Sequence, residues 1–145
     1  MATSFKINNE YVDGVKKAAQ WISTGLNKEA IEFAELFGKE LTAPDGIDKQ
    51  KLTTSQIRNV YGEVQKMKMK GFDERSFLIL KPRLAYTTLR SSNKTKGSEQ
   101  FKLVIEQALD AVLDGKNAEE KQSRFENFAN FFEAILAYHR SFGGK

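Results

Sequence analysis

Apolar side chains recur at steps of three and four residues along most of this chain, and that spacing constrains the fold more than any other feature. It places them on one face of an α-helix, whereas a strand would need alternation with period two. No segment alternates for long enough to indicate a strand, and the sequence shows no internal repeat and no heptad run. The chain contains only two prolines, which favours helices over a turn-rich β fold. The sequence therefore predicts an all-α fold.

Capping and breaking residues divide these stripes into about six helices, which we expect to form a single helical domain spanning residues 1–145. A chain of this length can bury a core of its own. Small polar residues favour helix starts, and glycine favours helix ends. The predicted helices are a stripe from Tyr11 to Ile22, a helix over Lys28–Leu41, a helix capped by Thr53, Thr54 or Ser55 and stopped at Gly71, a helix capped by Asp73, a helix opened by Ser98 or Glu99 and ended by Gly115, and a last helix capped by Asn117.

Pro82 interrupts the fourth predicted helix. Proline suits the first turn of a helix and disrupts its interior. We therefore expect a kink or a split at Lys81–Pro82, after which the helix resumes over Arg83–Arg90. The segment Ser91–Ser98 is polar and contains glycine, which predicts an exposed and mobile loop.

Positive charge is concentrated between residues 49 and 102. This block contains thirteen Lys and Arg against four Asp and Glu, a net charge of +9, while the preceding stretch carries −3 and the following stretch −2. The modest net charge of +4 for the whole chain therefore hides a very uneven distribution of charge along it. Charge gathered in this way creates a local positive potential that attracts polyanions, so nucleic acid is the first partner to consider.

Residues that carry common enzyme chemistry are scarce. The chain has no cysteine and one histidine, His139, so a disulfide framework, thiol chemistry and a two-histidine nuclease site are excluded within one chain. No phosphate-binding glycine motif is present. The acids Glu29, Glu32, Glu35 and Glu40 are typical of a solvated helix face rather than a metal site, and His139 is expected at the surface or the core boundary. We expect no catalytic residue, no metal and no cofactor, and hence no enzyme.

The amino-terminal residues lack an apolar run of the kind that directs secretion. No stretch approaches the roughly 20 apolar residues that cross a bilayer. The expected location is the cytoplasm, with no membrane partner.

A helix over Arg83–Arg90 would place charged and aromatic side chains on one face. At about 100° per residue, Arg83, Tyr86, Thr87 and Arg90 share that face, and Lys94 joins them if the helix is one turn longer. Two guanidinium groups with a tyrosine between them could bind a phosphate backbone and stack on a base. The alternative is that the arginines are simply solvated and that Tyr86 belongs to the core.

The third helix supplies further cations. Arg58 flanks its apolar stripe, while Lys66 and Lys70 face away from it. Lys68 falls on the stripe, so either the helix ends near Met67 or Lys68 extends along the edge of the core. Each lysine could equally be an ordinary solvated side chain. In the last helix Phe131 lies beside the main stripe, so it belongs either to the core or to an aromatic surface for another subunit.

Two sequence motifs resemble signatures of a known family. The run Leu52-Thr-Thr-Ser-Gln-Ile-Arg-Asn-Val-Tyr-Gly-Glu-Val64, followed by Phe77-Leu-Ile-Leu-Lys-Pro-Arg-Leu-Ala-Tyr86 and Arg90, resembles the small helical subunit of the type III-A CRISPR–Cas effector complex, the Csm complex. Together the motifs cover about the middle third of the chain. The family leads us to expect small residues between the tyrosine and the arginine, whereas this chain has Thr87, Thr88 and Leu89.

The resemblance implies a non-catalytic subunit present in several copies, which stack into an inner filament beside the backbone subunits that hold the guide RNA. The copies would line the channel where target RNA pairs with guide RNA, and would contact the large polymerase-like subunit. Because pairing supplies specificity, charge and shape suffice for the protein. The resemblance makes Arg58, Lys81, Arg83 and Arg90 the first candidates for RNA contact, and charge and placement add Lys66, Lys68, Lys70, Tyr86 and Lys94.

Three alternatives remain open from the sequence. The first is the corresponding small subunit of the type III-B (Cmr) complex, against which the Thr-Ser-Gln-Ile-Arg motif argues. The second is a helix-turn-helix regulator of double-stranded DNA, for which Gln56, Arg58 and Asn59 would have to read bases. The third is a small metal-independent RNase, which no residue pattern favours.

Overall fold

The computed structural model describes residues 9–42, 53–89 and 96–143, and the regular secondary structure within these ranges is entirely helical. The predicted all-α fold is therefore confirmed. Seven helical segments lie in the described residues, two of them separated by Ile79 alone. They are α1 (Asn9–Thr24), α2 (Lys28–Glu40), α3 (Thr54–Lys70), α4 (Glu74–Leu78), α5 (Leu80–Leu89), α6 (Lys96–Leu113) and α7 (Ala118–Ser141).

The predicted capping residues begin three of these helices. The side chains of Thr53, Asp73 and Asn117 accept hydrogen bonds from backbone N–H groups in the first turns of α3, α4 and α7. At the other end of two helices, Gly25 and Gly71 adopt positive φ angles of 117° and 98°, where a side chain would be strained.

Two predicted helix boundaries were wrong. The split in the fourth segment falls at Ile79 and not at Lys81–Pro82, because Pro82 is the third residue of α5, where a backbone N–H has no intrahelical acceptor. The helix α6 begins at Lys96, before the predicted Ser98 or Glu99. Ser98 is buried, so the end of the predicted exposed loop belongs to the packed helix, while residues 91–95 lie outside the described residues.

The long helix α7 lies at the centre of the fold and packs against α1, α2, α3 and α6. Its Phe128 ring meets Phe77 of α4 edge-on at a centroid distance of 5.2 Å. Phe132 of α7 packs against Phe101 of α6 at 5.5 Å and Tyr61 of α3 at 5.2 Å. Trp21 of α1 and Phe33 of α2 belong to the same hydrophobic core, which therefore contains aromatic rings from six of the described helices.

Phe131 belongs to this core and does not form an aromatic surface for another subunit. It is fully buried, because Trp21 of α1 and Phe33 of α2 cover it at centroid distances of 5.8 and 6.3 Å. Both covering residues come from helices that pack against α7.

The expected surface or boundary position of His139 was also wrong, since the residue is fully buried. The reason lies on the facing helix. A Cβ atom at Gly38 of α2 would stand 2.8 Å from the Tyr138 Cβ and 2.9 Å from the His139 nitrogen. Glycine at this position lets the two helices approach closely enough to enclose the histidine.

Candidate nucleic-acid interface

The start of α3 is fixed by a reciprocal pair of hydrogen bonds. The Gln56 backbone N–H donates to the Thr53 hydroxyl at 3.2 Å, and the Thr53 N–H donates to the Gln56 side-chain oxygen at 2.8 Å. The Gln56 Nε2 also donates to the Thr87 carbonyl near the end of α5 at 3.5 Å. This capping box sets where α3 begins, and the bond to Thr87 ties that end of α3 to α5.

One side of α3 is buried and the opposite side carries the predicted cations. Ile57, Val60 and Val64 are fully buried, while Arg58, Lys66 and Lys70 are exposed. Lys66 Nζ lies 3.5 Å from Glu63 on the same helix, a pair of little energetic weight at the surface. Arg58 and Lys70 form no ion pair with the described residues.

Lys68 extends along the edge of the core, as one of the two sequence interpretations proposed. Its Nζ lies 3.3 Å from Glu133 Oε1 of α7, and the Tyr61 hydroxyl donates to the same oxygen at 3.1 Å. Burial, together with this hydrogen bond to a carboxylate, raises the pKa of Tyr61 to about 12. Lys68 therefore joins α3 to α7 and differs in this respect from the outward-facing cations of the same helix.

The outward side of α5 presents Arg83 and Tyr86, and the tyrosine is 64% exposed. Arg83 is exposed and forms no ion pair with the described residues. Tyr86 does not belong to the core, so the alternative interpretation of its position was wrong. Ile79, one turn before Arg83, and Pro82, directly before it, are also exposed, so the arginine stands beside apolar surface.

The predicted face of α5 is narrower than expected, because Thr87 is buried. The start of α3 lies against this part of α5, where Gln56 donates a hydrogen bond to the Thr87 carbonyl. Thr88 is fully buried as well, and its hydroxyl donates to the Leu84 carbonyl at 2.7 Å. That hydrogen bond gives the buried Thr88 hydroxyl a partner. The helix therefore accommodates threonine where the family led us to expect a smaller residue.

Lys81 lies at the contact between α5 and α6. Its Nζ is 2.8 Å from Asp110 Oδ1, and the hydrogen bond from the lysine to this carboxylate raises the pKa of the lysine. The remaining two candidates, Arg90 and Lys94, lie outside the described residues.

The described candidates therefore fall into two groups. Lys68 and Lys81 connect helices through acidic partners, whereas the other cations point outward from α3 and α5, two helices that pack against each other. Sequence position gave a signal for Lys68, which fell on the apolar stripe. No local pattern could have indicated the Lys81–Asp110 pair, because its members lie on different helices. The sequence reasoning also missed the exposed Ile79 beside the arginine.

Two other kinds of site receive no support from the described residues. Gln56, which a duplex-DNA reader would need, is 7% exposed and occupied in the capping box. Within residues 9–42, 53–89 and 96–143, no three His, Asp or Glu side chains are grouped to hold a metal ion. None of the helices described is both long enough and apolar enough to cross a bilayer.

Comparison with known proteins supports the resemblance seen in the two motifs. Residues 25–145 match the model of the family described as Csm2 Type III-A. No individual curated protein and no solved structure matches the chain significantly. The family match extends beyond both motifs and includes six of the seven helical segments, from α2 to α7. The chain therefore belongs to the Csm2 family and is a small subunit of the type III-A CRISPR–Cas Csm complex.

Proposed function

We propose that this subunit binds the RNA backbone through the outward sides of α3 and α5, without reading sequence and without catalysing a reaction. The observation that carries the proposal is the pair of exposed arginines, Arg58 and Arg83, on two helices in direct contact. Neither arginine has an acidic partner among the described residues. Their charge therefore remains available to phosphate groups.

The surrounding residues suit a backbone contact. Lys66 and Lys70 add positive charge on α3, and the exposed Tyr86 ring offers a surface on which a base can stack. Arginine and lysine contacts to phosphates fix position and carry no sequence information. Guide–target pairing would supply specificity in such a complex.

Several copies of the chain would stack into an inner filament beside the backbone subunits in the cytoplasm, as the resemblance implies. They would line the channel that holds guide and target RNA, and would contact the large polymerase-like subunit. Arg90 and Lys94 remain candidates for the same contact on the basis of charge and motif. Lys68 and Lys81 are weaker candidates, because an RNA phosphate would have to compete with Glu133 and Asp110.

Charge reversal tests the proposed interface. We expect Arg58→Glu combined with Arg83→Glu to weaken binding of a short fluorescein-labelled single-stranded RNA by roughly tenfold or more. The slope of log affinity against log salt concentration should become shallower by about 0.7 for each phosphate group that the variant no longer neutralises. Fluorescence anisotropy over a salt series measures both quantities.

The matched control reverses two charges elsewhere. Lys28 and Lys39 are exposed on α2, a helix that packs against α7 and α1. Replacing both with glutamate changes the net charge by the same amount as the double arginine variant. Weaker binding confined to the Arg58 and Arg83 variant supports the interface. Equal weakening in both variants would show that net charge alone governs binding, and an unaffected arginine variant would exclude the proposed interface.

A further inference from the structure

Gly62 occupies the middle of α3, where glycine is unfavourable. A glycine inside a helix loses more backbone entropy on folding than alanine and destabilises the helix. Its φ angle is not among the positive ones, so the backbone conformation does not require glycine here. No described atom beyond its own helix backbone and its chain neighbours lies within 4 Å of the position that a Cβ would occupy. The described part of the fold therefore gives no reason for glycine at this position.

Gly38 shows what a glycine inside a helix can do in this protein. A Cβ at that position would collide with α7, at 2.8 Å from the Tyr138 Cβ, so the missing side chain allows another helix to come close. Gly62 offers the same bare strip of backbone, but it faces open space. This contrast suggests that a body outside the described chain comes close to α3 at Gly62.

The neighbours of Gly62 indicate the chemistry of that body. Arg58 and Lys66 lie four residues before and after it, each about 40° away around the helix, and both are exposed. The Lys66 side chain is 69% exposed even though its Nζ lies 3.5 Å from Glu63, a surface pair that a phosphate can displace at little cost. Lys70 follows one turn later. If a second copy approached with the same surface of α3, its cations would be repelled by these cations. A polyanion would instead be attracted to them.

We propose that the sugar–phosphate backbone of bound RNA comes closest to the protein main chain at Gly62, between the side chains of Arg58 and Lys66. This inference rests on the proposed RNA-binding function and adds the position at which steric access matters. The two cations hold phosphates on either side of the glycine. The absent side chain leaves room for the sugar between them.

Steric variants of Gly62 test the inference. We expect Gly62→Ala to raise the midpoint of thermal unfolding of the free protein, because alanine favours the helix and its Cβ meets no atom of the described residues. The same variant should weaken binding of the fluorescein-labelled single-stranded RNA roughly threefold, and Gly62→Leu roughly tenfold or more. Gln107→Leu, at an exposed position of α6, is the control for added apolar surface and should bind RNA like the wild-type protein.

A second measurement does not depend on substitution. In an NMR titration of the wild-type chain with the same RNA, the Gly62 amide signal should shift, while that of Gly38 should stay in place. Shifts at Gly38 and not at Gly62 would contradict the inference.

The outcomes separate this inference from the proposed function. If the Gly62 variants bind RNA normally while the Arg58 and Arg83 variant does not, the close approach at Gly62 is wrong and the RNA interface stands. If none of these variants changes RNA binding, both proposals are wrong. If Gly62→Leu reduces self-association in analytical ultracentrifugation and leaves RNA binding intact, a second copy occupies the surface, and the inference is overturned.

Discussion

The interface between α2 and α7 and the outward surface of α3 both contain a glycine inside a helix, and they use it differently. At Gly38 the missing side chain permits an internal approach that encloses His139. At Gly62 the bare backbone faces outward among exposed cations. The comparison separates residues that hold the fold together from residues that remain available to a partner. Substitutions in the first region should change stability, and those in the second should change binding.

The largest expected effect lies in the core. Phe128 is fully buried and packs against Phe77, Phe125 and Phe132, so Phe128→Ala should lower the free energy of unfolding by about 3–5 kcal/mol. Urea denaturation measures this decrease. The exposed Arg83→Ala should stay within about 0.5 kcal/mol of the wild-type protein. Similar decreases in both variants would remove the distinction between residues that hold the fold together and residues that remain available to a partner.

The next effect concerns the close approach of two helices. Gly38→Ala should destabilise the protein by about 1–3 kcal/mol, because the added Cβ forces α2 away from α7. The same substitution at Gly62 should instead stabilise it by about 0.5–1 kcal/mol. Chemical denaturation of both variants provides the comparison. A stabilising effect at Gly38 would show that α2 moves aside without cost.

A smaller effect is expected at the start of α3. Thr53→Ala removes the side-chain acceptor for the Gln56 N–H and should cost about 1 kcal/mol. Thr24→Ala is a matched control, because Thr24 lies at the end of α1, where its hydroxyl donates to the Gln20 carbonyl and caps no N–H group. Thermal unfolding of the two variants should rank Thr53→Ala as the less stable one.

The smallest effect concerns Tyr61, which connects the two regions. Its pKa rises from 10.0 to about 12 in the folded protein, so its contribution to stability is fully present below pH 10 and is lost as the pH rises towards 12. Tyr61→Phe should cost about 0.5 kcal/mol at neutral pH, since the Glu133 side chain is half exposed. The stability advantage of the wild-type protein over the variant should shrink, and then reverse, as the pH rises above the ordinary tyrosine pKa of about 10. A wild-type advantage that grows there would show that the phenol is not the group responsible.

The local features of the fold could be read from the sequence because neighbouring residues determine them. The caps at Thr53, Asp73 and Asn117 depend on hydrogen bonds within one helical turn. The apolar stripes likewise place most core residues without knowledge of the partner helix. Pro82 illustrates a limit, because proline is compatible with any position in the first turn and so did not define the boundary at Ile79.

Features that depend on packing between helices could not be predicted. The Lys68–Glu133 pair joins residues 65 positions apart, and the burial of Thr87 depends on where α3 lies over α5. The burial of His139 depends on Gly38, a residue of another helix. The sequence therefore identified a set of candidate cations, and the three-dimensional packing divided them into those that join helices and those that point outward.

The position of α7 in the chain has a consequence for biosynthesis. The ribosome makes this helix after the other six described, yet α1, α2, α3 and α6 all pack against it. Until α7 emerges, aromatic side chains of the earlier helices lack their packing partners on α7. Trp21 and Phe33, for example, lack Phe131. Nascent chains of this protein therefore leave part of their apolar surface uncovered until α7 has been translated, so the described core is completed only after translation of its last helix.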